Sequence, residues 1–163
     1  MDSTLSRTAS TARRRRRLTN RIKEELRDLS MQMTLLNHQV GSHLDLRDAD
    51  LECLDLISRY GPLGPTALAR RAGLHPATLT GVLDRLERGG WVVRTPNPSD
   101  RRAILVQVIK EKEEEIAFLF SGLNHAMDTV CADYEDAELL MIADFLQRSA
   151  KAGRLATDEL AGN

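Results

Sequence analysis

Residues 63–108 constrain this chain more than any other stretch, because their punctuation marks out two short helices and a hairpin in a fixed order. Gly64 and Pro65 supply an N-cap and a first helical residue. A helix over 66–72 then stops at Gly73, a residue suited to a left-handed C-terminal position. Leu74 and His75 make the turn. Pro76 opens a second helix that runs to Arg88 and closes at Gly89 and Gly90. Within it Leu79, Val82, Leu83 and Leu86 fall on one apolar stripe. The other face carries Ala77, Thr78, Thr80, Gly81, Asp84, Arg85 and Arg88. Small, hydroxylic and basic side chains allow a helix to lie deep in a major groove and donate hydrogen bonds there. Residues 91–94 and 103–108 read as two strands, joined by a Pro/Asn/Ser/Asp turn over 95–102 that ends in Arg101 and Arg102. The pattern is a helix-turn-helix followed by a β-wing.

Charge distribution supports a polyanionic partner. The chain of 163 residues has a net charge of −1. That value hides +2 over residues 1–60, +5 over 61–110 and −8 over 111–163. The basic segment coincides with the shaped motif, which is what phosphate binding needs, and the acidic end should face away from a duplex. With aromatics at only 4%, the core should be aliphatic. No apolar run reaches the roughly 18–20 residues of a membrane span, and the N-terminus lacks an apolar export core. The expected location is the cytoplasm. Cys53 and Cys131 are far apart and suit packing in a reducing compartment.

The remaining segments read as helices around the winged unit. Residues 1–17 form a Ser/Thr/Arg-rich stretch ending in five arginines, 13–17, and by composition are expected to be disordered. The stretch reads either as a solvated tail or as an arm following DNA phosphates. Over 18–42, Ile22, Leu26, Leu29, Met33, Leu36 and Val40 are spaced 4, 3, 4, 3, 4, an intersubunit seam. After a break at 44–47, a helix over 48–60 with Asp48 as N-cap should pack beneath the helix-turn-helix. Beyond the wing a long helix from 110 carries Ile116, Leu119, Phe120, Leu123, Met127, Val130 and Tyr134. A last helix spans about 137–150, and residues 153–163 should fray. The fold class is mainly α with a small β-hairpin wing. The winged helix-turn-helix occupies about 48–109, flanked by helices at 18–42 and 111–150 in a domain covering 18–152. The surplus apolar stripes must bury against something, most simply a second copy in a two-fold dimer.

The order of elements, with Leu68-Ala69, Thr78-Leu79-Thr80, Leu86-Glu87-Arg88-Gly89-Gly90, Arg94 and Asp100-Arg101-Arg102, resembles the MarR family of transcriptional regulators over residues 18–150. The resemblance implies a ligand-responsive repressor, a homodimer on a pseudo-palindromic operator in double-stranded DNA. It implies that Pro76, Ala77, Thr78, Thr80, Gly81 and Arg85 face the major groove. It implies that Asp100 and Arg94 brace the wing and that Arg102 reaches the minor groove, with Arg101 a second candidate for that contact. A narrow minor groove concentrates negative potential and attracts guanidinium. In this family small aromatic or phenolic anions act as effectors near the joint between the outer helices and the winged lobe. Two departures stand out. His75 occupies a position where Ser or Asp is a common cap, so the helix start should rely on Pro76 and packing. The joint Val108-Ile109-Lys110-Glu111-Lys112 lacks the family's usual Leu-Thr and nearby glycine.

Rival readings find less in the sequence. An enzyme is disfavoured, since there is no Gly-rich phosphate loop, no paired-carboxylate motif and no Ser/His/Asp arrangement. A metal- or redox-sensing variant of the same fold would use His38, His43, Cys53 and His125, but they lack ligand spacing. No cofactor or metal is expected. A winged-helix interaction module that does not read DNA is the third alternative; the Thr/Gly/Arg face and the arginines of the wing argue against it.

Overall fold

The computed structural model describes the backbone of residues 2–162 and the side chains of 10–160 and 162 apart from Arg101. Helix α1 runs from Asp2 to His43, so residues 10–17 are helical and exposed, where disorder was expected. Alanine and arginine are good helix formers, and extending an existing helix avoids the cost of nucleation. The C-terminal end of α1 packs tightly on the turn that follows. Gly41 is buried, and an added Cβ would meet the Leu46 carbonyl oxygen at 2.9 Å.

Helix α2, Asp48–Tyr60, follows an extended Arg47. Asp48 is therefore its first residue, and its carboxylate meets His38 Nδ1 at 3.1 Å instead of capping the helix. The first turn is served by Asp50, whose Oδ2 accepts from the Arg47 N–H at 3.4 Å. Helix α3, Pro65–Ala72, starts at Gly64 and ends at Gly73, whose φ of +64° is a left-handed conformation that favours glycine. Helix α4 is Pro76–Arg88. Three helices and a hairpin close one core. It joins Cys53, Leu54 and Ile57 of α2, Leu68 and Ala69 of α3, and Leu79, Val82, Leu83 and Leu86 of α4. Trp91, Val92, Val106 and Val108 complete it. Each fully buried aliphatic side chain of this set contributes about 1.5–3 kcal/mol.

The hairpin is longer and its turn tighter than the sequence indicated. Strand β1, Val92–Asn97, pairs antiparallel with β2, Asp100–Val108. Only Pro98 and Ser99 lie between them. The register breaks after the Pro96–Ile104 pair, and Asn97 pairs with Asp100, so residues 101–103 bulge out of β2. On the far side of β2, Leu63 exchanges two backbone hydrogen bonds with Val106, at 3.1 and 2.8 Å, and adds a third short rung to the sheet.

The chain divides into two compact units, residues 1–116 and 117–163. The long helix expected after the wing is two helices, α5 (Lys110–Leu119) and α6 (Ser121–Cys131), interrupted at Phe120. Ser121 Oγ donates to the Phe118 carbonyl at 2.6 Å, an alternative to the helix ladder, and Gly122 follows. In the second unit, α7 runs from Asp136 to Ala161, well past the expected end near residue 150. Its first turn is secured by Glu138, which accepts from the Glu135 N–H at 3.0 Å. Gly153 disfavours helix but does not end it, since Arg154, Leu155, Ala156 and Glu159 are good formers. Much apolar surface of this unit is exposed, including Leu140, Met141, Phe145, Leu146 and Leu160.

Candidate nucleic-acid interface

The outer face of α4 is built by the core residues beneath it. With Leu79, Val82, Leu83 and Leu86 buried, helical periodicity turns Pro76, Ala77, Thr78, Thr80 and Asp84 outward, and all five are exposed. Gly81 is half-buried beside them. Thr80 Oγ1 donates to the Pro76 carbonyl at 3.0 Å and keeps its lone pairs on the outer face. The start of the helix is capped after all. His75 Nδ1 accepts from the Ala77 N–H at 3.3 Å, so the imidazole fills the place of the usual hydroxyl or carboxylate.

Arg85 does not join that face. Its Nη2 donates to Asp50 Oδ1 at 2.6 Å and its Nε to Asp50 Oδ2 at 3.2 Å, a bidentate pair across α4 and α2. Asp50 is 3% exposed. Hydrogen bonding to Asp50 pushes the Arg85 pKa further up, so the guanidinium stays charged. The groove-facing role expected for Arg85 is therefore corrected: a buried carboxylate binds a guanidinium more strongly than water does. The sequence signal was present in part, as Asp50 lies three, four and seven residues before Cys53, Leu54 and Ile57 and so falls on the apolar face of α2. The partner, 35 residues away, was not legible.

The wing carries its own bracing. Arg94, at the root of β1, pairs with Asp84 Oδ1 at 2.7 Å and Glu87 Oε2 at 3.3 Å on α4. Asp100 Oδ1 accepts from the Arg102 N–H at 3.0 Å and holds the bulge. Asn97 Oδ1 accepts from the Ser99 N–H at 3.0 Å and fixes the tip. Arg102 is exposed on the bulge. The Arg101 side chain lies outside the described residues. One electrostatic consequence was not anticipated. The three acids of residues 61–110 are Asp84, Glu87 and Asp100, and each is occupied by a partner on the wing. Arg94 offsets one of the two charges of Asp84 and Glu87, and Asp100 keeps its charge while a backbone N–H holds its oxygen. The segment is net basic because its eight cations outnumber these three acids.

Cys53 is fully buried and burial pushes its thiol up to about 11, which makes it an inert core residue. Cys131 is half-buried. Among the described residues no group of three or more His, Cys, Asp or Glu is arranged to hold a metal ion. No described helix is long and apolar enough to cross a membrane.

These features define a winged helix-turn-helix protein with a net basic segment over residues 61–110. Residues 46–104 match the family model for the MarR family. The uncharacterised HTH-type transcriptional regulator YcgE of Bacillus subtilis is 31% identical over 118 residues, covering 72% of this chain and 77% of that protein. The multiple antibiotic resistance protein MarR of Escherichia coli is 38% identical over 74 residues, 45% of this chain and 51% of that protein. In fold, the chain is similar to transcriptional regulator Tm0710 from Thermotoga maritima, with a TM-score of 0.61 and 24% identity over 85% of this chain and 98% of that one. It is also similar to a MarR family protein from Bacillus stearothermophilus, with a TM-score of 0.66 and 17% identity over 85% and 96%. The chain belongs to the MarR family of transcriptional regulators. It is a regulator of transcription and not an enzyme.

Proposed function

We propose that this regulator is a cytoplasmic homodimer that binds a pseudo-palindromic operator in duplex DNA, with one α4 helix per half-site and the wing in the flanking minor groove. The observation that carries the reading is the electrostatic layout of the lobe. The outer face of α4 is exposed and small, Arg102 stands on a braced bulge, and residues 61–110 hold eight cations against three acids, two of them paired with Arg94. Pro76, Ala77, Thr78, Thr80 and Gly81 form the base-facing set, and Arg102 with Arg101 forms the minor-groove set. Repression is supported by the relative YetL of Bacillus subtilis, a transcriptional repressor 32% identical over 90 residues, 53% of this chain and 54% of that protein.

Response to a small aromatic or phenolic anion fits a cleft of about 320 Å³ inside the first unit. Ile57, Pro62 and Val108 give it apolar walls, Lys110 supplies a cation at the root of α5, and the one acid of the lining, Glu113, accepts from Ser58 Oγ at 2.9 Å. Binding there would act on the joint between the wing and the helix that leaves it. Footprinting on the DNA upstream of the protein's own coding region tests the whole reading. The expected result is two protected half-sites about one helical turn apart, with protection reduced by phenolic acids. A folded protein that gives no protection at low salt would leave the lobe as a protein-interaction module.

A further inference from the structure

The five consecutive arginines of α1 are not explained by the winged lobe. Residues 1–23 hold eight basic side chains and one acid. Residues 13–17 are helical and exposed, and among the described residues none of their guanidinium groups has an ion-pair partner. Helix α1 joins the lobe at its other end, where Val40 and Gly41 are buried. At about 1.5 Å per residue, Arg15 lies about 37 Å along the axis from Val40. The cluster is a surface of its own.

The faces of α1 settle what the cluster can meet. At about 100° per residue, Arg13, Arg14, Arg16 and Arg17 occupy one arc of about 160°. The apolar seam of Ile22, Leu26, Leu29, Met33, Leu36 and Val40 falls on the opposite side, within about 80°. Arg15 alone lies over the seam. Burying the seam against a second chain therefore leaves four guanidinium groups outward. These four cations lie within about 6 Å of axis, and duplex DNA carries one phosphate charge per about 1.7 Å. The densest acidic stretch of the chain, Glu111, Glu113, Glu114 and Glu115 of α5, is interrupted by Lys112, which pairs with Glu115, while Glu113 accepts from Ser58. The acids of the second unit, for comparison, are eight among 47 residues and are accompanied by three bases.

We infer that Arg13, Arg14, Arg16 and Arg17 form a second, sequence-blind site for the backbone of duplex DNA, outside the half-site read by α4. The choice of DNA rests on the proposed function of the lobe; the site itself does not use the lobe. Its effect is to hold the regulator on neighbouring DNA, or on a second duplex, without changing which operator is chosen.

The test measures binding of the full chain to a random-sequence duplex at several salt concentrations. The variant R13Q/R14Q/R16Q/R17Q keeps good helix formers and should flatten the slope of log affinity against log salt by up to about 3.6, at about 0.9 per phosphate released. Arg15→Gln should leave the slope nearly unchanged, and four lysines in place of the four arginines should preserve it. The Arg102→Ala variant tests the lobe separately and should weaken operator binding while the arginine-dependent slope persists. In the unaltered chain, DNA should protect the four arginines from phenylglyoxal more than Arg15, a readout that does not depend on a variant folding. Equal slopes for the parent and the four-glutamine variant overturn the inference and leave the lobe reading standing. So does a variant that changes only the salt dependence of sedimentation, because the arginines then meet protein.

Discussion

Asp50 serves two elements at once, and its removal should be felt in both. It accepts from the first turn of α2 and holds Arg85 of α4 through both oxygens. Breaking a buried pair on one side leaves a charge without its partner. Because Arg85 is about a third exposed, solvent offsets part of the loss, and Asp50→Ala should cost about 2–3 kcal/mol in urea denaturation. The double variant Asp50→Ala, Arg85→Ala should be less destabilised than the sum of the two by at least about 1 kcal/mol; strict additivity would show the pair to be idle. Cys53 gives a pH signature. Its thiol titrates near 9 when unfolded and near 11 in the core. The folded state thus holds the proton more tightly. The stabilisation is complete below pH 9 and is lost as pH rises toward 11, by roughly 2 kcal/mol. The Cys53→Ala variant should lack that part of the alkaline decline, which chemical denaturation at stepped pH measures. The burial of Cys53 was legible from its apolar surroundings. The Asp50–Arg85 pair was not, because sequence gives the charge of a residue but not which way a flexible guanidinium turns.

The helix-turn-helix was legible at the level of elements because glycine and proline punctuate it chemically. Helix α4 runs over the anticipated residues, and Gly73 takes the left-handed conformation that ends α3. Less legible were the places where local chemistry competes with a strong pattern. The apolar spacing of Ile116 to Tyr134 reads as one helix, yet Ser121 and Gly122 are a local signal for the break at Phe120. The arginine stretch reads as disordered by composition, yet it continues a helix already nucleated by the seam. Gly81 offers a clean test of α4. An added Cβ would meet only Arg85 Nη1, at 3.7 Å, an ordinary contact. Gly81→Ala should therefore stabilise the fold by about 0.5–1 kcal/mol. It should also weaken operator binding, if the helix seats closely on the duplex. Thermal melts and gel shifts on the same sample separate the two effects, and unchanged affinity would remove Gly81 from the interface. For the wing, Arg102→Ala should cost about 1–3 kcal/mol of operator binding, the scale of a lost charged hydrogen bond, without changing the melting temperature. Arg94→Ala should lower affinity too, through a different cause. It frees Asp84 and Glu87 to repel phosphates, and the loss should shrink as salt rises.

At the scale of the whole molecule, the exposed apolar surface calls for a partner. On α1, Ile22 is 44% exposed and Leu29 50%, on the seam opposite the arginines. Within the second unit, Leu140, Phe145 and Leu160 are exposed as well, on different faces of α7, whereas the seam of α1 is aligned. Scattered exposed apolar residues are common, but aligned ones of this extent mark an interface. The wild-type chain should sediment as a dimer at micromolar concentration, and Ile22→Asp with Leu29→Asp should shift it to monomer and weaken operator binding by orders of magnitude while leaving the melting of the lobe intact. A wild-type monomer would sink the two-fold reading. The wing has a bearing on how far such association can run. Exposed strand rims invite pairing with other chains and seed fibres. Here β1 carries Pro96, which has no N–H to offer, and the distal part of β2 is distorted by its bulge. The proximal part of β2 is already paired to Leu63. Neither rim is a clean template for strand addition, so molecules crowded along a chromosome should not polymerise wing to wing. Growth stays confined to helical faces, which a two-fold arrangement can close.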